Sequence, residues 1–172
     1  MFSLHNKVIV LSGATGALGG SLALSLTEAK AKIVILGRNQ SLLDALLAKI
    51  SPSTETAAFV VDVMDKKSLE DVKSQIIKQF GHIDILVNAV GGNLPGAVIA
   101  DDQSIFDLSV SDFDEVMDLN LKGTVLPSLV FGKSMSEKGK GTIVNYSSMT
   151  VDQALTRVVG YSAAKAAMEN FT

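Results

Sequence analysis

The chain has no cysteine, no tryptophan, three prolines and only two histidines in 172 residues. Without cysteine there is neither a disulfide framework nor a thiolate metal site, and nothing points to an oxidising compartment. His5 and His82 stand far apart in polar, turn-like contexts, so no metal site is expected. A basic stripe and an aromatic ladder are also missing. The 15 basic residues are interspersed among 18 acidic ones for a net charge of −3, which argues against a nucleic-acid partner. No apolar run approaches the roughly 18 residues that span a bilayer, so no membrane partner is expected. Met1–Lys7 leads into an apolar run of only Val8–Leu11, unlike a secretory leader, and the expected location is cytoplasmic.

What the chain does have is 47% hydrophobic residues, gathered in short and regularly spaced segments. Runs rich in Val and Ile predict strands at Lys7–Leu11, Lys32–Leu36, Ala57–Val61, Ile83–Val87 and Thr142–Tyr146. Between them lie helical patterns. The first runs through Leu22, Leu26 and Ala29. The second is capped by Asn39, carries Leu42, Leu43, Leu46, Leu47 and Ile50, and ends at Pro52. The third is capped by Asp65 and stopped by Gly81. A polar loop from Asn88 to about Ser109 precedes a helix over Asp112–Met135, with a bend expected at Gly123 or Pro127. A last helix starts near Val159 or Gly160 and is still running at Thr172. Strands apolar on both faces, alternating with helices, predict a three-layer α/β fold with a doubly wound parallel sheet, the Rossmann fold. Residues 1–172 read as a single domain.

Ser12-Gly13-Ala14-Thr15-Gly16-Ala17-Leu18-Gly19-Gly20 directly follows the first strand and opens the first helix. A diphosphate needs backbone amides aimed at it and no side chains in the way, and a glycine-rich helix start supplies both. The second strand ends at Gly37-Arg38-Asn39, where a carboxylate would accept from both adenosine ribose hydroxyls. Glycine there, beside an arginine fork suited to phosphate, favours NADP(H) slightly over NAD(H), with Thr15 and Asn39 as further polar contacts. Asp62, after the third strand, is placed to accept from the adenine amino group, with Val63 walling the ring. The small pair Asn88-Ala89 leaves room for the second ribose.

Tyr161 and Lys165 lie four residues apart, about one helical turn, on one face. An ammonium near a phenol favours the phenolate, making a group of pKa ~10 a usable proton donor and acceptor. Ser148 follows the fifth strand, at the strand end where ligands bind in such folds, and its hydroxyl can donate to a carbonyl oxygen. Together these residues read as hydride transfer between a nicotinamide and a ketone or secondary alcohol. No Gly-x-Ser-x-Gly elbow surrounds Ser148, which argues against serine acyl transfer.

In order and spacing the chain resembles the short-chain dehydrogenase/reductase family. The carrying motifs are Ser12–Gly19, Asp62, Asn88-Ala89-Val90-Gly91, Asn120, Ser148 and Tyr161-Ser162-Ala163-Ala164-Lys165. Two departures stand out: Ser12 where the family has threonine, and Gly16-Ala17 where it has glycine at 17. The resemblance implies that Asn120 holds a water linking Lys165 to solvent. It also implies that Gly13, Thr15, Gly16, Ala17, Leu18, Gly19, Arg38, Asn39, Asp62, Val63, Asn88, Ala89, Gly91, Tyr161 and Lys165 hold the cofactor. Val87–Asn93, Phe106-Asp107-Leu108 and Asp118–Thr124 are similar to bacterial members described as fructuronate reductases or D-mannonate oxidoreductases, which would make Asn93 and Ser148 substrate contacts. Family members of this type run to roughly 250 residues and form homodimers or homotetramers, so residues 1–172 are expected to be the N-terminal part of the domain and inactive alone. A catalytically inactive dinucleotide-binding or regulatory protein, and a nucleotide-sugar epimerase, are the alternative readings.

Overall fold

The computed structural model describes residues 3–153 and 155–172; Met1, Phe2 and Ala154 lie outside the described residues. Two compact units are present, one of Met1–Ala89 with Leu126–Val144 and one of Val90–Val125 with Asn145–Thr172.

The first unit is built on a five-stranded sheet: β1 (Val8–Ser12), β2 (Lys32–Gly37), β3 (Thr56–Val60), β4 (Ile85–Asn88) and β5 (Thr142–Asn145). The strand order is β3-β2-β1-β4-β5. The β1–β2, β1–β4 and β2–β3 pairs are parallel, with Val10 opposite both Val34 and Leu86. This is the parallel α/β sheet expected of the alternating pattern. Every residue of β1 is buried, so apolar side chains are needed on both of its faces. Ile9, Leu11, Ile33 and Ile35 are fully enclosed, each contributing about 1.5–3 kcal/mol by removing apolar surface from water. At the other end of the order Thr142, Ile143 and Val144 of β5 are exposed.

The helices of this unit are α1 (Ala17–Glu28), α2 (Gln40–Leu47), α3 (Lys66–Phe80) and most of α5 (Gly123–Lys138). Asn39 caps α2 by accepting from Leu42 N–H at 3.2 Å. Asp65 caps α3 by accepting from Lys67 and Ser68 N–H at 2.9 and 3.2 Å. Gly81 ends α3 at φ +82, a left-handed conformation that suits glycine. The second helix stops before Ile50 because the chain tightens: Lys49 and Ile50 N–H donate to the carbonyls three residues back. Ile50 is nonetheless buried, so the apolar pattern outlasts the helix.

β4 begins at Ile85 rather than Ile83, and Asp84 is the reason. Its side chain, 9% exposed, accepts from Val8 N–H at 3.0 Å, from Lys138 Nζ at 2.8 Å and from His82 Nε2 at 3.0 Å. Burial alone would raise this carboxyl. The Lys138 hydrogen bond, Val8 N–H and the nearby His82 and Lys138 charges outweigh it and hold Asp84 at about 2, below the ordinary 3.8.

In the second unit, two short 3₁₀ turns, Pro95–Ala97 and Ile105–Asp107, break the loop read from Asn88 to Ser109. The helix predicted over Asp112–Met135 is α4 (Val110–Met117), a π-helical turn over Asp118–Lys122, and then α5. The irregularity centres on Asn120 and ends at Gly123, before Pro127. The last helix, α6 (Val159–Phe171), packs on α4 through Gly160: a β-carbon there would lie 3.1 Å from Phe113 Cδ2. The preceding loop is tied down where Ile99 N–H donates to Arg157 O at 3.0 Å and Arg157 pairs with Asp101. No helix among the described residues is long and apolar enough to cross a membrane.

Because Asp84 is more acidic folded than unfolded, its stabilisation is complete above pH ~4 and is lost as pH falls towards 2. Asp84→Asn is expected to cost about 2 kcal/mol at neutral pH and to flatten that acid dependence. Thermal melts between pH 6 and pH ~2 check both; equal losses in the two proteins on acidification would refute the assignment.

Candidate active site

The first unit holds the glycine-rich turn. Gly13 adopts φ +71, which an L side chain rarely takes. A β-carbon on Gly19 would overlap the Gly13 carbonyl, so the first turn of α1 can close on the strand end only with glycine there. Gly16 is the N-cap of α1 at φ −78, an ordinary extended conformation, and no side chain caps the helix. The α1 start therefore carries main-chain donors with no carboxylate or hydroxyl of its own on them. Ala17 and Leu18 are exposed there. These features fit a dinucleotide diphosphate.

Around the turn, Ser12 Oγ is buried and lies 3.4 Å from both Val87 O and Asn88 Oδ1, linking the ends of β1 and β4. Asn88 is buried and donates to Ser128 Oγ at 3.0 Å, while Ala89 N–H donates to Ser12 O at 3.3 Å. Thr15 fills the space a side chain on Gly37 would need, its Cγ2 lying 2.9 Å from a β-carbon placed there. Arg38 is exposed and makes no hydrogen bond or ion pair among the described residues. Asn39 Oδ1 is engaged by Leu42 N–H and Ser41 Oγ. Asp62 is exposed, with Oδ1 accepting from Met64 N–H at 2.9 Å, and Val63 is buried in the protein.

Asn120, Ser148, Tyr161 and Lys165 all lie in the second unit, with Gly91 and Asn93. Lys165 is 4% exposed; its Nζ donates to Tyr146 O at 2.7 Å and lies 5.7 Å from the Tyr161 ring centroid. Burial lowers the Lys165 ammonium from the ordinary lysine range. Ser148 Oγ accepts from Thr150 N–H at 3.3 Å. That bond occupies a lone pair and leaves the hydroxyl proton available for donation. Neighbouring Ser147 differs, donating to Glu169 Oε1 at 2.8 Å. Asn93 is exposed and accepts from Leu94 N–H through Oδ1.

Asn120 is fully buried, and its amide meets main chain on every side. Oδ1 accepts from Gly92 N–H at 3.2 Å, and Nδ2 donates to Gly92 O at 2.8 Å and Val116 O at 2.9 Å. The side-chain amide braces the Gly92 strip against the π turn. Gly91 sits between this amide and the lysine: a β-carbon on it would lie 2.6 Å from Asn120 Oδ1 and 3.3 Å from Lys165 Nζ. The sequence reading missed the roles of the Tyr146 carbonyl, the Gly92 backbone and Thr150 N–H. Main-chain groups have no residue signature.

Residues 7–172 match the family model described as short chain dehydrogenase. The chain is 37% identical to "Uncharacterized oxidoreductase UxuB" of Bacillus subtilis, over 99% of this chain and 64% of that protein. It is 35% identical to an NAD-dependent glycerol dehydrogenase of Listeria innocua, with the same coverage of each. Among solved structures it is similar to one from Haemophilus influenza, provisionally described as a D-mannonate oxidoreductase with bound NAD. The TM-score is 0.90 at 36% identity, over 99% of this chain and 65% of that one. An NAD+-bound xylitol dehydrogenase gives a TM-score of 0.89 at 26% identity, over 98% and 63%. The chain thus spans about 64% of the length of the curated relatives it matches.

The Listeria relative and the two solved structures overturn the preference for NADP(H) read from Gly37-Arg38, because NAD is what they are described as using or holding. Physically, a guanidinium selects a phosphate when it is held in place, and here Arg38 is unanchored while Asn39 is engaged in capping α2.

In the full-length protein, Gly91→Ala is expected to lower oxidoreductase turnover about 10²-fold by pushing the Asn120 amide and Lys165 Nζ apart, with the fold retained. Steady-state kinetics beside a circular-dichroism melt check this; unchanged turnover would show that neither group matters where it now stands.

Proposed function

Because the chain belongs to the short-chain dehydrogenase family, we propose that the whole protein is an NAD-dependent oxidoreductase interconverting a secondary alcohol and a ketone. The substrate class we propose is a sugar acid, such as D-mannonate and its ketone fructuronate. Support comes from the similarity to the Haemophilus structure provisionally described as a D-mannonate oxidoreductase, and from the resemblance of Val87–Asn93 and Asp118–Thr124 to that group. The observation that carries the reading is a buried Lys165 ammonium 5.7 Å from the Tyr161 ring, in the unit where Ser148 keeps a free hydroxyl proton.

When bound, NAD supplies the hydride acceptor or donor at nicotinamide C4. Tyr161 gives its phenolic proton to the substrate oxygen during reduction and takes it back during oxidation. Ser148 donates to the same oxygen as negative charge develops on it. Lys165 places a positive charge beside the tyrosine when that proton has left. Asn120 and Gly91 keep the lysine in position. In the first unit Gly13, Thr15, Gly16, Ala17, Leu18 and Gly19 would hold the diphosphate end. Arg38, Asn39, Asp62 and Val63 would flank the adenosine, with Asn88, Ala89, Gly91, Tyr161 and Lys165 towards the second ribose. Asn93 would meet substrate hydroxyls or its carboxylate.

Residues 1–172 form, in this reading, the N-terminal part of one dinucleotide-binding domain of roughly 250 residues. A cytoplasmic location and a homodimeric or homotetrameric assembly belong to the same proposal. The 172-residue piece alone is expected to show little turnover, because a third of the length of its relatives lies outside it.

The test is oxidation of NADH by the full-length protein with a panel of keto acids and ketones, followed by the loss of cofactor absorbance. Tyr161→Phe is expected to lose a factor of about 10²–10⁴ in kcat. Undiminished turnover in that variant would remove Tyr161 from its role. Replacing Lys165 by Met is expected to move the activity optimum to higher pH.

A further inference from the structure

Apolar side chains scattered singly over a surface need no explanation, but several on one short element do. Ile105, Phe106 and Val110 fall within one six-residue stretch and are 50%, 94% and 69% exposed. Among the described residues no large apolar side chain is more exposed than Phe106. The turn that carries it is held firmly. Ser104 N–H donates to Asp107 Oδ2 at 2.8 Å, and Phe106 N–H donates to Ser104 Oγ at 3.2 Å, a capping box that closes the turn on itself. This knob is shaped before any partner arrives, which lowers the ordering cost of docking.

The charges around the knob restrict what it can meet. Residues 101–121 contain seven carboxylates and no lysine or arginine. Asp101 and Asp118 are paired with Arg157 and Lys122, whereas Asp102, Asp114 and Glu115 are exposed and make no ion pair among the described residues. An anionic lipid surface would repel this rim, and so would a second knob set against the first. The complement is an apolar recess edged with ammonium groups, and the first unit has one. Between the C-terminal ends of α3 and α5 lies a groove of about 830 Å³, with Ile77 and Ile83 in its lining. Lys73, Lys133 and Lys138 edge it against one carboxylate among the described residues, Glu137. Lys73 is paired with Glu70 and Lys138 with Asp84, but Lys133 is exposed and makes no ion pair among the described residues. The groove beside Gly132 and Ile143 offers only Lys140.

We propose that these two surfaces form an interface between copies of this chain, the Phe106 knob of one copy seating in the α3–α5 groove of another with carboxylates facing lysines. An aromatic side chain buries about 150–250 Å², and a stable interface needs about 800 Å² from each partner, so Phe106 is the anchor of a wider contact. The charged rim sets orientation and speeds encounter. The inference rests on the homo-oligomeric assembly proposed above and names the surfaces that hold it; it does not depend on the reaction.

The experiment follows the full-length protein by sedimentation velocity over a range of concentrations. Phe106→Ala is expected to raise the dissociation constant about 30-fold, the scale of an anchor residue, and to keep the circular-dichroism spectrum because the side chain touches little of its own chain. Lys133→Glu is expected to raise it about tenfold at low salt, an effect that fades as salt is added. To locate the contact, Phe106 is replaced by the photo-reactive p-benzoylphenylalanine and heavy- and light-isotope chains are mixed before irradiation. Crosslinks between unlike copies are expected at Lys73–Ile83 or Lys133–Lys138. If the wild type self-associates but crosslinks elsewhere, or no more tightly than Phe106→Ala, the inference is overturned and the assembly stands. A wild type that stays monomeric throughout overturns both.

Discussion

The side chain of Asn120 has two donor hydrogens and an acceptor, and in the folded chain all of them meet main-chain groups of Gly92 and Val116. In water these groups would be equally satisfied, so the net gain is modest. Leaving any of them unpaired in the interior would not be. The amide therefore dictates local geometry. It takes up the Val116 carbonyl, and the chain widens into a π turn over Asp118–Lys122. Thr124 Oγ1 then donates to the Asn120 carbonyl at 3.2 Å. The same amide pins Gly92, and hence Gly91, beside Lys165. Moving it would disturb the helix, the loop and the lysine together.

Asp84 plays a comparable part in the first unit. It too is a buried polar residue that interrupts a regular element, taking Val8 N–H for itself and delaying the start of β4. The difference lies in charge. A neutral amide is satisfied by main chain alone, whereas a buried carboxylate needs cations, which Lys138 and the more distant Lys7 supply. Asp84 is therefore sensitive to acid, and Asn120 has no titration to be sensitive with.

Much of this could be read beforehand where one side chain decides one local outcome. Asn39, Asp65 and Gly81 marked helix ends because capping and left-handed turns are short-range chemistry. The parallel sheet was legible because strands apolar on both faces have few other solutions. Less legible were features decided by distant partners. The start of β4 depends on Asp84 meeting Val8 and Lys138, 76 and 54 residues away. The irregularity in the long helix was sought at Gly123 or Pro127, the residues with poor helix propensity, but a buried asparagine produced it. The departure at Gly16-Ala17 puts no strain on the backbone of the turn for a related reason. Positive φ is needed only at Gly13 and a bare Cα only at Gly19, while Gly16 sits in a conformation any residue adopts.

Spacing alone could not separate the adjacent serines at 147 and 148, since either hydroxyl follows β5 closely enough to meet a ligand. Their hydrogen bonds separate them. Ser147 gives its proton to the Glu169 carboxylate, a charge-assisted bond that a neutral carbonyl oxygen cannot match. Ser148 receives a bond from Thr150 N–H and keeps its own proton. A hydroxyl that accepts from an amide becomes a better donor through polarisation, and its orientation is fixed before any ligand arrives. Of the two, only Ser148 could therefore serve the proposed reaction, donating to a substrate oxygen without first giving up a stronger partner.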